Sequence, residues 1–139
     1  MILPAKQIEY NSIVIEKEAT YCVNQTPLHC IKATCEKNWS SYEARRDAIM
    51  KRTNFKYKIP MILSKWQMLF AFPTTGTDQF ACAWIFLHNI ASIHPEGATS
   101  AVTFHNGQKV ILDISYHILT SQLKRTQSLY EDVTRTNFD

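Results

Sequence analysis

The sequence predicts an α+β fold, predominantly antiparallel β with two helices at about 41–52 and 115–130. Three observations carry that expectation. Val102 and Phe104 precede Asn106-Gly107 while Val110 and Leu112 follow it, a hairpin signature with a type I′ turn. Met68, Phe70 and Phe72 alternate as in a strand with one buried face. Two further stretches repeat their apolar residues at helical spacing.

Taken in order, Ile8 to Ile15, Thr20 to Asn24 and Leu28 to Thr34 are rich in β-branched and aromatic residues and read as strands, with Pro27 as punctuation. The first helix starts at Ser40, where Glu43 completes a Ser-x-x-Glu capping box. At 100° per residue Tyr42, Ile49 and Met50 share its inward side. Pro60 breaks the chain and biases Ile59 toward extended geometry. Pro73 ends the Phe70–Phe72 strand, and Thr74 to Thr77 form a polar loop. Cys82 to Leu87, apolar throughout, reads as a central strand. From Ser115 onward Tyr116, Leu119, Leu123 and Tyr130 recur as in a helix, with Lys124 and Arg125 on its outer side.

A chain of 139 residues with 16 aromatic rings and 45% hydrophobic content is one domain, 1–139, with a core of its own. No apolar run approaches the roughly 20 residues a spanning helix needs, and no leader segment precedes the domain. The reading is a cytoplasmic protein without a membrane partner. Cys22, Cys30, Cys35 and Cys82 then read as small buried hydrophobes; their spacings, even with His29 added, lack the close ligand pairs of a zinc site. No metal or cofactor is expected. No nucleophile elbow, HExxH, Walker or dinucleotide motif occurs, and the five histidines are scattered, so the chain reads as no enzyme. A Cys/His dyad assembled in space is the rival reading.

Charge is unevenly placed. Residues 37–65 hold eight basic and two acidic side chains, a surplus of six, whereas the three other stretches together carry minus three. A cationic segment suits a polyanion, because each phosphate that Lys or Arg neutralises releases counterions. Arg45, Arg46 and Arg52 look free, while Lys51 stands four residues after Asp47 in the favourable order for an ion pair. Phe55 and Tyr57 interleave with Lys56 and Lys58, so rings can face the core while the cations face a ligand. Arg45, Arg46, Lys51, Arg52, Lys56, Lys58 and Lys65 are therefore the candidate DNA contacts, with Lys124 and Arg125 as auxiliaries. The alternative is a solvated face with no partner.

Several motifs occur together in one order: Cys35, Ser40-Ser-Tyr42 with Arg45, Lys58-Ile-Pro-Met61, Phe70-Ala-Phe-Pro-Thr74, Cys82-Ala-Trp-Ile85, Val102-Thr-Phe-His-Asn-Gly107, Ile114-Ser-Tyr116 and Gln122-x-x-Arg-Thr126. Their order and spacing over about residues 20–128 resemble the competence transcription factor ComK family. The resemblance implies a bacterial activator of DNA-uptake genes that binds paired A/T-rich boxes as a dimer, in the nucleoid when bound. Minor-groove contact by Arg and Lys fits the enhanced negative potential of narrow A/T tracts. Members of that family continue past the point matching Tyr130, so the expectation is a C-terminally short member. The part it lacks is associated with assembly, activation and recognition by a proteolytic adaptor. An interaction module that pairs with a full-length relative, or binds an adaptor, is the alternative function. The order of elements also resembles LytTR-type DNA-binding domains, which would bring Thr74, Thr75 and His117 toward a duplex.

Overall fold

A computed structural model of the protein describes residues 1–4, 12–15 and 20–137. The described residues form strands β1 (Ile2–Pro4), β2 (Ser12–Ile15) and β3 (Thr20–Val23), followed by helices α1 (Pro27–Lys37) and α2 (Tyr42–Arg52). Strands β4 (Met61–Ser64), β5 (Leu69–Pro73), β6 (Trp84–Phe86), β7 (Ile90–Glu96), β8 (Thr99–Phe104) and β9 (Lys109–Leu112) come next, and helix α3 (Tyr116–Asn137) closes the fold. One sheet has the order β3-β2-β1-β6-β5-β4 and a second the order β7-β8-β9, with every pairing antiparallel. The α+β expectation holds, with a third helix added.

That third helix is the main correction. Leu28 to Thr34 is helical, inside α1, because Thr26 caps it by accepting from the His29 N–H at 3.2 Å and Pro27 opens its first turn. Pro27, Ile31 and Cys35, spaced by four, are its buried face. These tertiary contacts outweigh the β preference of the branched side chains. Of the expected Ile8–Ile15 strand only residues 12–15 lie among the described residues, and they form β2. Strands β1, β4 and β7 were not expected.

Helix α2 begins one residue later than expected: Ser41, not Ser40, is the cap, accepting from the Ala44 N–H at 3.1 Å. Tyr42 and Ile49 are buried, but Met50 turns outward. Ser115 caps α3 through the Ile118 N–H, and the helix runs seven residues beyond the expected end. Its inward stripe is Leu119, Gln122, Thr126 and Leu129, half of it polar, while Tyr116 is exposed.

The β8–β9 hairpin is present, but its turn is not type I′. Asn106 does not have the positive φ that a type I′ turn requires. Gly107 alone takes the left-handed region at φ +89°, and its N–H donates to the Phe104 carbonyl. The Phe104 N–H in turn donates to the Gln108 carbonyl, which makes a three-residue loop.

Strand β6 is central, as its apolar run predicts. Trp84 enters a core shared with Ile31, Tyr42, Leu63 and Phe70, beneath the helices. Ile85, on the opposite face, enters a second core with Val102, Phe104, Leu112 and Leu119, toward the three-stranded sheet. Burial on both faces is what a continuous apolar strand requires. The basic segment 37–65 lies on the helical side, running from the end of α1 through α2 to the outer strand β4.

Candidate nucleic-acid interface

Arg45 is not free. From α2 its Nη1 donates to the carbonyls of Ile62 at 2.6 Å and Leu63 at 2.7 Å, and its Nη2 to those of Cys35 at 3.2 Å and Asn38 at 2.8 Å. The β4–β5 register shifts between Ile62 and Ser64, and Cys35 and Asn38 close the last turn of α1. Helix ends and bulges leave carbonyls short of regular ladder partners, and one planar fork donates to all four, although the Cys35 carbonyl also accepts from the Asn38 and Ser40 N–H groups. This guanidinium joins two helices and a strand.

Five of the remaining cations line two depressions. Arg46, Lys56 and Lys58 line a cleft of about 450 Å³ around Tyr57, together with the loop at Gly76 to Asp78. Tyr57 is 78% exposed, so this ring faces outward and not into the core. Arg46 also lies 5.9 Å from the centre of the Tyr42 ring, and its Nη2 is 3.3 Å from Asp47. Asp47 thus pairs with Arg46, not with Lys51. Lys56 and Lys58 have no acidic partner among the described residues. Arg52 and Lys65 sit instead on a second groove, where Arg52 Nη2 is 3.5 Å from Asp132. Lys51 is exposed on α2 and lines neither depression.

A latch from α3 holds the Phe55–Lys58 segment. Gln122 Nε2 donates to the carbonyls of Lys58 and Pro73, both at 2.9 Å, and its Oε1 accepts from Arg125 Nη1. Arg125 Nη2 donates to the Tyr57 carbonyl at 2.9 Å, and its guanidinium lies 4.2 Å from the Phe55 ring centre. Burial lowers the Arg125 pKa. Lys58 itself adopts φ +48°, a conformation that few non-glycine residues take. Arg125 thus shapes the cleft from behind, while Lys124 points outward from α3.

The loop residues fare differently. Thr74 is buried, and its hydroxyl accepts from the Ala83 N–H at 3.0 Å, which ties the loop to the residue that leads into β6. Thr75 is half-buried, and His117 is exposed in the first turn of α3. Sequence reasoning missed the Gln122 latch and Trp66, which is 97% exposed; Trp39, legible as a ring beside the basic segment, is 96% exposed. A glutamine beside apolar residues at helical spacing is the signal that could have revealed the latch.

Charge, flat rings and a hydrogen-bonded scaffold equip a binding domain. The ComK protein family model matches residues 1–137, and the chain belongs to that family. A competence transcription factor from Bacillus subtilis (strain 168) is 31% identical over 116 residues, which cover 83% of this chain. The chain spans 60% of that relative's length. That relative is described as a transcription factor and not as an enzyme, which agrees with the non-enzymatic reading. No solved structure matches the chain, so the LytTR-type layout gains no support from that comparison. Among the described residues, no helix is long and apolar enough to cross a membrane.

Proposed function

We propose that this chain is a DNA-binding regulator of competence genes, acting in the cytoplasm as a dimer on paired A/T-rich boxes. The observation that carries the reading is the convergence of Arg46, Lys56 and Lys58 on one cleft beside the exposed Tyr57 ring. Arg46, Lys56 and Lys58 contact backbone phosphates, and Tyr57 lies against the sugar edge of a narrow groove. Lys51, Lys65 and Lys124 add longer-range attraction. Arg45 and Arg125 act on the interface by holding its backbone.

The test is a salt titration of binding to A/T-rich and G/C-rich duplexes. Each phosphate contact contributes about 0.9 to the slope of log affinity against log salt. Neutralising Arg46, Lys56 and Lys58 together should flatten the slope by three such contributions and weaken A/T binding, with the melting temperature unchanged. Binding that is absent, or equally steep in the triple variant, would refute this assignment of the interface. Sedimentation with and without duplex tests the dimer.

A further inference from the structure

A groove between α2, the β4–β5 turn and the second half of α3 is strongly apolar. It encloses about 500 Å³ over a floor of Ile49, Ile62, Leu129 and Val133, with Trp39 and Trp66 at its rim. Both indoles stand almost wholly in solvent, although each has a large apolar area to bury.

The backbone beneath each ring is fixed by hydrogen bonds. Trp39 follows the last turn of α1 at φ +70°, its N–H donating to the Glu36 carbonyl while the Ser40 N–H donates to that of Cys35. This double closure places Trp39 at the position where glycine is the usual residue. A bulky side chain there strains the backbone, and retained strain of this kind marks functional surfaces. Trp66 sits in a turn closed by the Met68 N–H on the Lys65 carbonyl and by the Gln67 N–H on the Ser64 hydroxyl. Two exposed indoles on hydrogen-bonded turns beside an aliphatic trough offer the aromatic area that binding hot spots use.

The rim charge selects the occupant. Asp132 is shared between Arg52 at 3.5 Å and Arg135 at 2.8 Å, and Lys65 has no acidic partner among the described residues. The rim is therefore net positive. A second copy docking isologously would set like charges against each other. A nucleobase would meet an aliphatic floor with little to read on its edge. We propose that this groove binds an acidic amphipathic helix from a partner protein, with apolar residues at i, i+3, i+4 and i+7 over the floor and carboxylates facing Lys65 and Arg52. The site is separate from the Tyr57 cleft, and the inference does not depend on DNA binding.

The experiment uses the full chain and two fluorescein-labelled peptides of about four helical turns, one of Leu, Phe and Glu in that pattern and one with Lys replacing Glu. Anisotropy should show saturable binding of the Glu peptide and at least about tenfold weaker binding of the Lys peptide. Trp39→Gly combined with Trp66→Ala should weaken the Glu peptide by about tenfold or more, and Lys65→Glu several-fold, with the helical circular dichroism of the protein unchanged. Binding to an A/T-rich duplex should be unaffected by the Trp double substitution, which separates this site from the DNA reading. Four results would each overturn the proposal: no saturation by about 1 mM peptide, equal binding of both peptides, displacement by oligothymidylate, or a protein dimer that the Trp double substitution disperses.

Discussion

The side-chain amide of Gln122 reaches across 64 positions of sequence to the carbonyl of Lys58, at 2.9 Å. The same nitrogen donates to Pro73, so one buried amide joins the end of β5 to the basic segment before β4. Lys58 can present its carbonyl inward because its backbone is left-handed at φ +48°. The position of the cleft's cations therefore follows from a neutral residue on another element.

Gln122→Ala should lower stability by about 2 kcal/mol, since it strands two carbonyls in an apolar setting. Hydrogen exchange in residues 55–59 should rise more than in the β8–β9 hairpin. A chemical denaturation midpoint close to that of the parent chain would contradict the latch.

Arg45→Ala should lower stability by about 3 kcal/mol, because four carbonyls lose a charged donor. Arg45→Lys should do nearly as badly, since a single ammonium cannot span acceptors arranged for a planar fork. Arg46→Ala, on the exposed side of the same helix, should shift stability by less than about 0.5 kcal/mol. Denaturant titrations of the three variants check the ranking.

Trp39→Gly should raise stability by about 1 kcal/mol, even though it deletes the largest side chain type. The residue is almost fully exposed, so little packing is lost, and its φ of +70° suits glycine. A lower melting temperature for the glycine variant would mean that the indole packs in solution.

Alkaline pH should destabilise the fold. Burial pushes the Cys35 thiol above its ordinary 9.0, with the Arg45 guanidinium pulling it down less strongly. Burial likewise holds the Tyr42 phenol above its ordinary 10.0. Each folded group keeps its proton where the unfolded one releases it. The contribution is fully present below the unfolded pKa and is lost as pH rises through the folded value. Denaturation midpoints measured between pH 8 and about 10.5 should therefore fall, and Tyr42→Phe should reduce the fall. A flat profile would refute both assignments.

The elements legible in the sequence were those whose pattern is local. Asn106-Gly107 marked the β8–β9 hairpin, the uniform apolar run at Cys82 marked β6, and helical spacing marked α2 and α3. Helix α1 was hidden because Ile31 and Thr34 favour strands in isolation, although Thr26-Pro27 was a valid start signal. At the site, Lys56 and Lys58 were legible as surface cations. Arg45 was not, since its acceptors come from α1, the residue after it and β4, and no local pattern encodes a meeting of three elements. Tyr57 was expected inside, because alternation alone cannot reveal the turn at Lys58.

The four-carbonyl clasp of Arg45 bears on how any alanine scan of the cationic segment should be scored. Ranked by apparent affinity alone, Arg45 would emerge as the foremost duplex contact, merely because a fraction of each sample had come undone. Normalising every variant to its active concentration would demote it and bring Arg46, Lys56 and Lys58 to the top.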